Sequence, residues 1–237
     1  MEIRRVKKHD VDMTSGSVFR HLLNFAVPLL MGNIFQQLYN TVDTWVVGNY
    51  VSNEAFSAVG TVAPIINTLI GAFSGLASGA GVVISQYYGA GKYDRVKDAV
   101  HTAVMMTLVL SVAFTAIGIA MTPNMLRLMK TPAEVFPESR AYLNIYFSGM
   151  AGLMLYNMGA GILRAVGDSK RPFYYLVCAA VINTVLDLVF VIAFGMGVEG
   201  VAYATIIAQG ISAILTMLTL LRSESCVRVE LKLIRLH

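Results

Sequence analysis

Charge is what this sequence has least of: 14% of its 237 residues are Asp, Glu, Lys or Arg, against about 25% in an ordinary soluble domain. The deficit is uneven, because long stretches carry no charge and short segments between them carry several. A soluble core has no need of that pattern, whereas spans and loops in a bilayer require it. Cysteine is also scarce. Cys178 and Cys226 are far apart and form no CxxC pair, which excludes a disulfide framework and a cysteine metal site. No GxxxxGK[ST] loop and no HExxH helix is present, which argues against a built-in ATP motor and a zinc hydrolase. His9, His21, His101 and His237 are scattered and read as interfacial or solvated residues. A net charge of +4 does not point to nucleic acid, since the basic residues flank apolar segments and serve as topology determinants.

Hydrophobic residues, by contrast, make up 56% of the chain. A membrane-crossing helix needs about 20 mostly apolar residues, and six runs qualify: 22–47, 56–84, 96–122, 136–163, 173–194 and 201–221. The first run follows a basic N-terminus, as in a secretory signal peptide, but it is too long, contains Pro28 and lacks an A-x-A-like end. It is expected to stay as the first span. Turn-forming residues such as Gly48-Asn49, Gly89-Ala90-Gly91 and Gly167-Asp168 separate the runs. Fifteen of the eighteen Lys and Arg fall in alternate connecting segments, and the other three, Arg127, Lys130 and Arg140, share a loop with Glu134 and Glu138. The positive-inside rule then places both chain ends in the cytoplasm. The expected organisation is an all-α integral membrane protein: a basic segment 1–21, a six-helix lobe 22–221 and a basic tail 222–237. Within the second run, Gly71, Gly75 and Gly79 recur every fourth residue and predict a stripe for close helix approach.

Apart from Asp98 and Glu138 at the very starts of their runs, only two carboxylates fall inside the runs, Asp43 in the first and Asp187 in the fifth. An ionisable group at that depth is costly and faces a bundle interior or a wet cavity. Both lie in the outer half of their spans, so a shared cavity is geometrically open to them. Asn33, Gln36, Gln37, Asn40, Asp43 and Thr44 follow one another at helical steps, and Asn183 stacks on Asp187 four residues later. Lipid would leave these groups unsatisfied, so both stripes are expected to face inward, either as a cavity lining or as interhelical glue. No Lys or Arg is placed at matching depth. Paired acids of this kind suit the uptake and release of H⁺ or Na⁺, with no other cofactor. Thirteen Met residues are consistent with an adaptable cavity wall, although most are expected to be ordinary packing residues.

Five stretches, in order, resemble the multidrug and toxic compound extrusion transporters. They are Pro28-Leu29-Leu30 with FQQLYNTVDTWVVG (35–48), AFSAVGTVAPI (55–65), ISQYYGAGKYD (84–94), GILRAVGDSKRP (161–172) and NTVLDLVFVIAFGMGVEGVAYAT (183–205). The resemblance implies one six-helix lobe of a two-lobed antiporter that exports organic cations and other amphipathic drugs in exchange for H⁺ or Na⁺. It implies that Asp43, Asn183 and Asp187 hold the coupling ion, a Na⁺ site included. It adds Tyr142 and Asn157 to that site, with Thr205 as a looser match, and makes Pro28 the position of helix bending.

Length is the departure, since one lobe accounts for the whole chain. A truncated sequence lacking its second lobe, or two copies pairing, would restore the architecture, and the divergence of the lobes in the family favours the former. The partners expected are the lipid bilayer of the cell membrane, small amphipathic drugs, and the missing lobe or a second copy, with no nucleic acid. Competing readings are a non-transporting fragment, a lipid-linked sugar flippase, which would need cavity cations, and an intramembrane enzyme with Asp43 and Asp187 as an acid pair; the expectation is that the chain is not an enzyme.

Overall fold

Seven α-helices account for nearly all of the structure, a computed structural model that describes residues 18–230. They are α1 (Val18–Tyr50), α2 (Asn53–Gly89), α3 (Tyr93–Leu128), α4 (Phe136–Ser148), α5 (Met150–Ala165), α6 (Lys170–Leu188) and α7 (Val198–Arg222). No strand occurs among the described residues. The basic residues 1–17 and the last seven residues of the tail lie outside the described residues, as do His9, His237 and the side chain of His21.

Four helices are long and apolar enough to cross a membrane: α2, α3, α6 with its extension to Ala193, and α7. The other two expected spans differ for physical reasons. In α1, 33 residues long, the polar stripe from Asn33 to Thr44 dilutes an otherwise apolar helix. The fourth run is divided into α4 and α5, of 13 and 16 residues. The division falls at Gly149, where a Cβ would sit 2.4 Å from Ile206 Cγ2 on α7.

Two apolar cores lie at opposite ends of the bundle. One joins the end of α1 (Val46, Val47), the start of α2 (Ala55, Val59), the end of α3 (Leu126), α4 (Leu143, Phe147) and the start of α7 (Val198, Val201). The other joins the end of α2 (Ile84), the start of α3 (Val96, Val100), the end of α5 (Ile162, Leu163) and the end of α7 (Leu220). Successive segments therefore run up and down, with α4 and α5 acting as one. Arg20, Lys92, Arg95, Lys97, Arg164, Lys170, Arg171 and Arg222 gather at the second, basic end, as short connections between antiparallel helices dictate.

Close helix approach occurs, but not on the expected stripe. A Cβ at Gly71, Gly75 or Gly79 would meet nothing within 4 Å, because α2 turns Phe73, Ala77 and Ile84 inward and leaves those glycines on its outer face. Tight contacts are found on α5 instead, among other places. Gly161 lies 2.9 Å (as a built Cβ) from the Ala77 carbonyl oxygen, and Gly159 lies 2.5 Å from Thr216 Cγ2. These small residues let α5 sit between α2 and α7.

After α7 the chain folds back instead of leaving the bundle. Val227 and Val229 are buried in the basic-end core, and the Glu230 backbone N–H donates to His101 Nε2 at 2.9 Å. His101 Nδ1 lies 2.7 Å from the Lys97 carbonyl oxygen, so the neutral ring with its proton on Nδ1 serves both partners. His101 is thus a buried structural histidine (1% exposed), not the interfacial or solvated residue expected from sequence.

Candidate functional site

The polar stripe of α1 turns inward only in part, with Asp43 buried, Gln36, Asn40 and Thr44 half-buried and Asn33 and Gln37 exposed, and it divides between two cavities. The larger, about 680 Å³, lies toward the α1–α2 turn and is lined by Gln37, Asn40, Asp43 and Thr44 of α1, with Tyr142, Tyr146, Thr205 and Gln209 facing them. The smaller, about 320 Å³, lies toward the basic end and is lined by Pro28, Asn33 and Gln36 of α1, with Asn157, Arg164, Asn183 and Thr205.

Between the cavities lie the two acids. Asp43 is 5% exposed and Asp187 is fully buried, and their carboxyl groups are direct neighbours. Thr205 links the surrounding groups: Asn183 Nδ2 donates to its hydroxyl at 3.5 Å, and the hydroxyl lies 3.4 Å from Asp43 Oδ2 and 2.9 Å from the Val201 carbonyl oxygen. A hydroxyl has one proton to give, and the short bond to Val201 claims it, so Asp43 is only weakly served. Asp43 Oδ1, Asn183 Oδ1 and both Asp187 oxygens accept no hydrogen bond at all. Neither acid forms a salt bridge among the described residues, where Lys97 pairs with Glu230 and Arg171 with Asp168.

Such a cluster disfavours charge on both carboxyls at once. Two unscreened charges about 4 Å apart repel by roughly 4 kcal/mol at an effective dielectric constant near 20. The unserved atoms are all oxygens, the donors that a proton or a hard monovalent cation takes. One proton shared between the carboxyls would convert a repulsive contact into a hydrogen bond. Na⁺ would find its ligands among Asp43, Asp187, Asn183 and Thr205.

Helix α6 is distorted beside this cluster. Immediately after Asp187 and Leu188 it widens into a π-helical turn, Val189–Ala193, closed by Phe194 N–H donating to the Val189 carbonyl at 3.1 Å. Such turns add one residue to the helical ring and collect at functional sites. Pro28 is carried inside an unbroken α1, where its missing N–H leaves the carbonyl of residue 24 without a helical partner. Asn157 accepts from the Ser74 hydroxyl at 3.2 Å and donates to the Leu153 carbonyl, which fixes it on the wall of the smaller cavity.

Sequence spacing had not singled out Tyr39, Tyr146, Gln209 or Arg164 as part of the site. Tyr39 lies one turn before Asp43, and Gln209 one turn after Thr205, so helical spacing alone would have brought out both. Tyr146 follows Tyr142 by the same step, and the two rings stack with centroids 6.4 Å apart. Arg164 is a correction: its position at the end of α5 read as a loop, yet it lines the smaller cavity, so a cavity cation is present after all.

Known proteins resemble the chain in sequence and in fold. The MatE family model matches residues 28–189. The chain is 38% identical over 212 residues to the probable multidrug resistance protein YoeA of Bacillus subtilis (strain 168), covering 88% of this chain and 46% of that protein. It is 34% identical over 201 residues to the probable multidrug resistance protein YpnP of the same organism, covering 85% of this chain and 45% of that one. Among solved structures, an outward-facing conformation of a multidrug resistance MATE family transporter superposes with a TM-score of 0.88 at 25% identity, over 96% of this chain and 50% of that one. The chain spans about half the length of the relatives it matches. With residues 28–189, two thirds of its length, matched by the family model and its helices superposing on a solved relative, the chain belongs to the MatE family.

Proposed function

We propose that this chain forms one lobe of a cation-coupled antiporter that exports amphipathic organic compounds across the cell membrane. The observation that carries the proposal is the pair of buried, adjacent carboxyl groups with no basic partner and almost no hydrogen-bond donors. A group so placed costs stability, and a mobile cation relieves that cost. On this reading six segments cross the bilayer, α4 and α5 jointly forming one, and the basic end faces the cytoplasm. H⁺ or Na⁺ enters through the larger cavity and binds among Asp43, Asn183, Asp187 and Thr205. Neutralising the acids changes the polarity of the cavity wall and the packing of α1 against α6. Drug release outward and cation entry are then linked by mutually exclusive occupancy, followed by rocking against a second lobe.

The test is gradient-driven export of a fluorescent cationic dye from cells making these 237 residues, beside Asp43→Asn and Asp187→Asn. Export that disappears in both variants supports the proposal, with the second lobe supplied by another copy. Export unchanged by either substitution would sink the coupling role of the acids. Absence of export from a stably inserted chain would assign activity to the two-lobed protein alone.

Arg164 on the smaller cavity favours a second reading, in which the compound carries an anionic head group, as a lipid-linked sugar does. Competition of dye export by an anionic amphiphile, lost in Arg164→Gln, would favour it.

A further inference from the structure

Three residues line both cavities: Tyr39, Thr205 and Gln209. Thr205 is the polar link already described, in contact with Asp43 on one side and Asn183 on the other. Asp43 opens only to the larger cavity and Asn183 only to the smaller one. The acids thus stand at the boundary of two cavities that approach from opposite ends of the same lobe, Asp43 lining one of them and Asp187 buried behind it, with only a few side chains between them. Tyr39 reaches that boundary from α1, and Gln209 from α7. Gln209 lies beside the Tyr146 hydroxyl, and Tyr39 beside Gln36 and Tyr146. Tyrosine and glutamine are large enough to fill such a gap and polar enough to stay satisfied there through neighbours instead of bulk water.

We infer that Tyr39 and Gln209 form a plug between the two cavities, and that a cation released by Asp43 and Asp187 reaches the basic end past Thr205 and Asn183 when the plug moves aside. The exit route then lies within this lobe and does not require the cleft between two lobes. The movement breaks no covalent bond: a proton leaves the carboxyl for water in the smaller cavity, or Na⁺ exchanges carboxylate oxygens for water. Both halves of the plug sit on elements that border the acids. Any shift of α1 against α7 therefore opens or closes the route and changes the surroundings of Asp43 in the same motion. The inference rests on the coupling role proposed for the acids.

The test uses the full 237-residue chain in phospholipid vesicles holding a pH-sensitive and a sodium-sensitive dye, with an imposed membrane potential. The wild-type chain is expected to be tight to both cations. Tyr39→Ala combined with Gln209→Ala is expected to raise influx of one of them at least about tenfold, as removal of a pore constriction does. Gln209→Ala alone, the milder change, gives a smaller rise and keeps the test usable if the double variant inserts poorly. Adding Asp43→Asn returns influx to the wild-type level if the route passes the acids. Influx that stays at the wild-type level in helical, membrane-inserted plug variants would overturn the plug and leave the role of the acids standing. A leak that persists undiminished with Asp43→Asn would overturn the route past the acids while leaving their coupling role to the dye-export test.

Discussion

Asp187 has no exposed surface, yet neither of its carboxyl oxygens accepts a hydrogen bond. Buried polar atoms in folded proteins are nearly always paired, so an orphaned group signals a site completed by something else. The neighbouring Thr205 matters because its single hydroxyl proton, held mainly by the Val201 carbonyl, gives Asp43 its one weak contact. Thr205→Val keeps the side-chain shape, removes that donor and leaves Asn183 without its acceptor. The loss of one such bond is worth about 1 kcal/mol, or roughly fivefold in an equilibrium. The expected outcome is a fivefold shift in the cation concentration giving half-maximal dye export, with little change in the amount of inserted protein. An unshifted midpoint would remove Thr205 from the cation site.

At the scale of the helix, small residues decide how closely α3, α4, α5 and α7 pack. Gly118 of α3 faces the Phe147 ring of α4 so tightly that a built Cβ would lie 2.1 Å from Phe147 Cδ1. The ring belongs to the core and its backbone carbonyl accepts from Thr115, so it has little room to yield. Gly118→Ala is therefore expected to destabilise the lobe by about 1–3 kcal/mol, in the range of overpacked cores, measured as a lowered thermal midpoint in detergent. The strap after α7 makes a second prediction. Its Glu230 carboxylate accepts from the Lys97 ammonium at 2.7 Å, which holds that carboxyl below the usual glutamate range. A depressed value means that the pair supports docking at neutral pH and loses that support only as pH falls through the depressed range, below the ordinary glutamate value near ~4.3. Glu230→Gln and His101→Ala both remove an anchor at neutral pH. Each is expected to speed tryptic cleavage after Arg228, read by mass spectrometry; cleavage at the wild-type rate would show that buried Val227 and Val229 hold the strap alone.

At the scale of the whole molecule, the segregation of basic residues to one end is a statement about orientation. With Cys178 and Cys226 replaced by Ser, a cysteine at Lys92 is expected to react with an impermeant maleimide only after the cells are opened. A cysteine at Asn53, on the α1–α2 turn, is expected to react in intact cells. Reversal of the two would invert the cavities relative to the membrane and exchange the entry and exit sides of the cation. The exposed apolar surface is large: Leu22, Leu30, Ile34, Leu38, Val112, Val181 and Ile214 all project outward. A bilayer covers such a surface.

Composition and periodicity alone determined a helical membrane lobe, the gathering of basic residues at one end, and the two acids with their polar stripes. Each of these follows from the cost of placing charge in hydrocarbon, which acts on every residue by its depth and helical face. Tertiary structure decided what depends on two helices meeting. Local spacing is blind to which face packs, so the glycines of α2 looked like a contact stripe, while the close approaches are made by Gly118 of α3 and by Gly159 and Gly161 of α5. Nor does spacing reveal that α1 divides its polar residues between two cavities, that α6 widens beside Asp187, or that the tail folds back onto His101. Those features arise because groups far apart in the chain, such as Asp43, Asp187 and Thr205, must share one small space and the few hydrogen-bond partners within it.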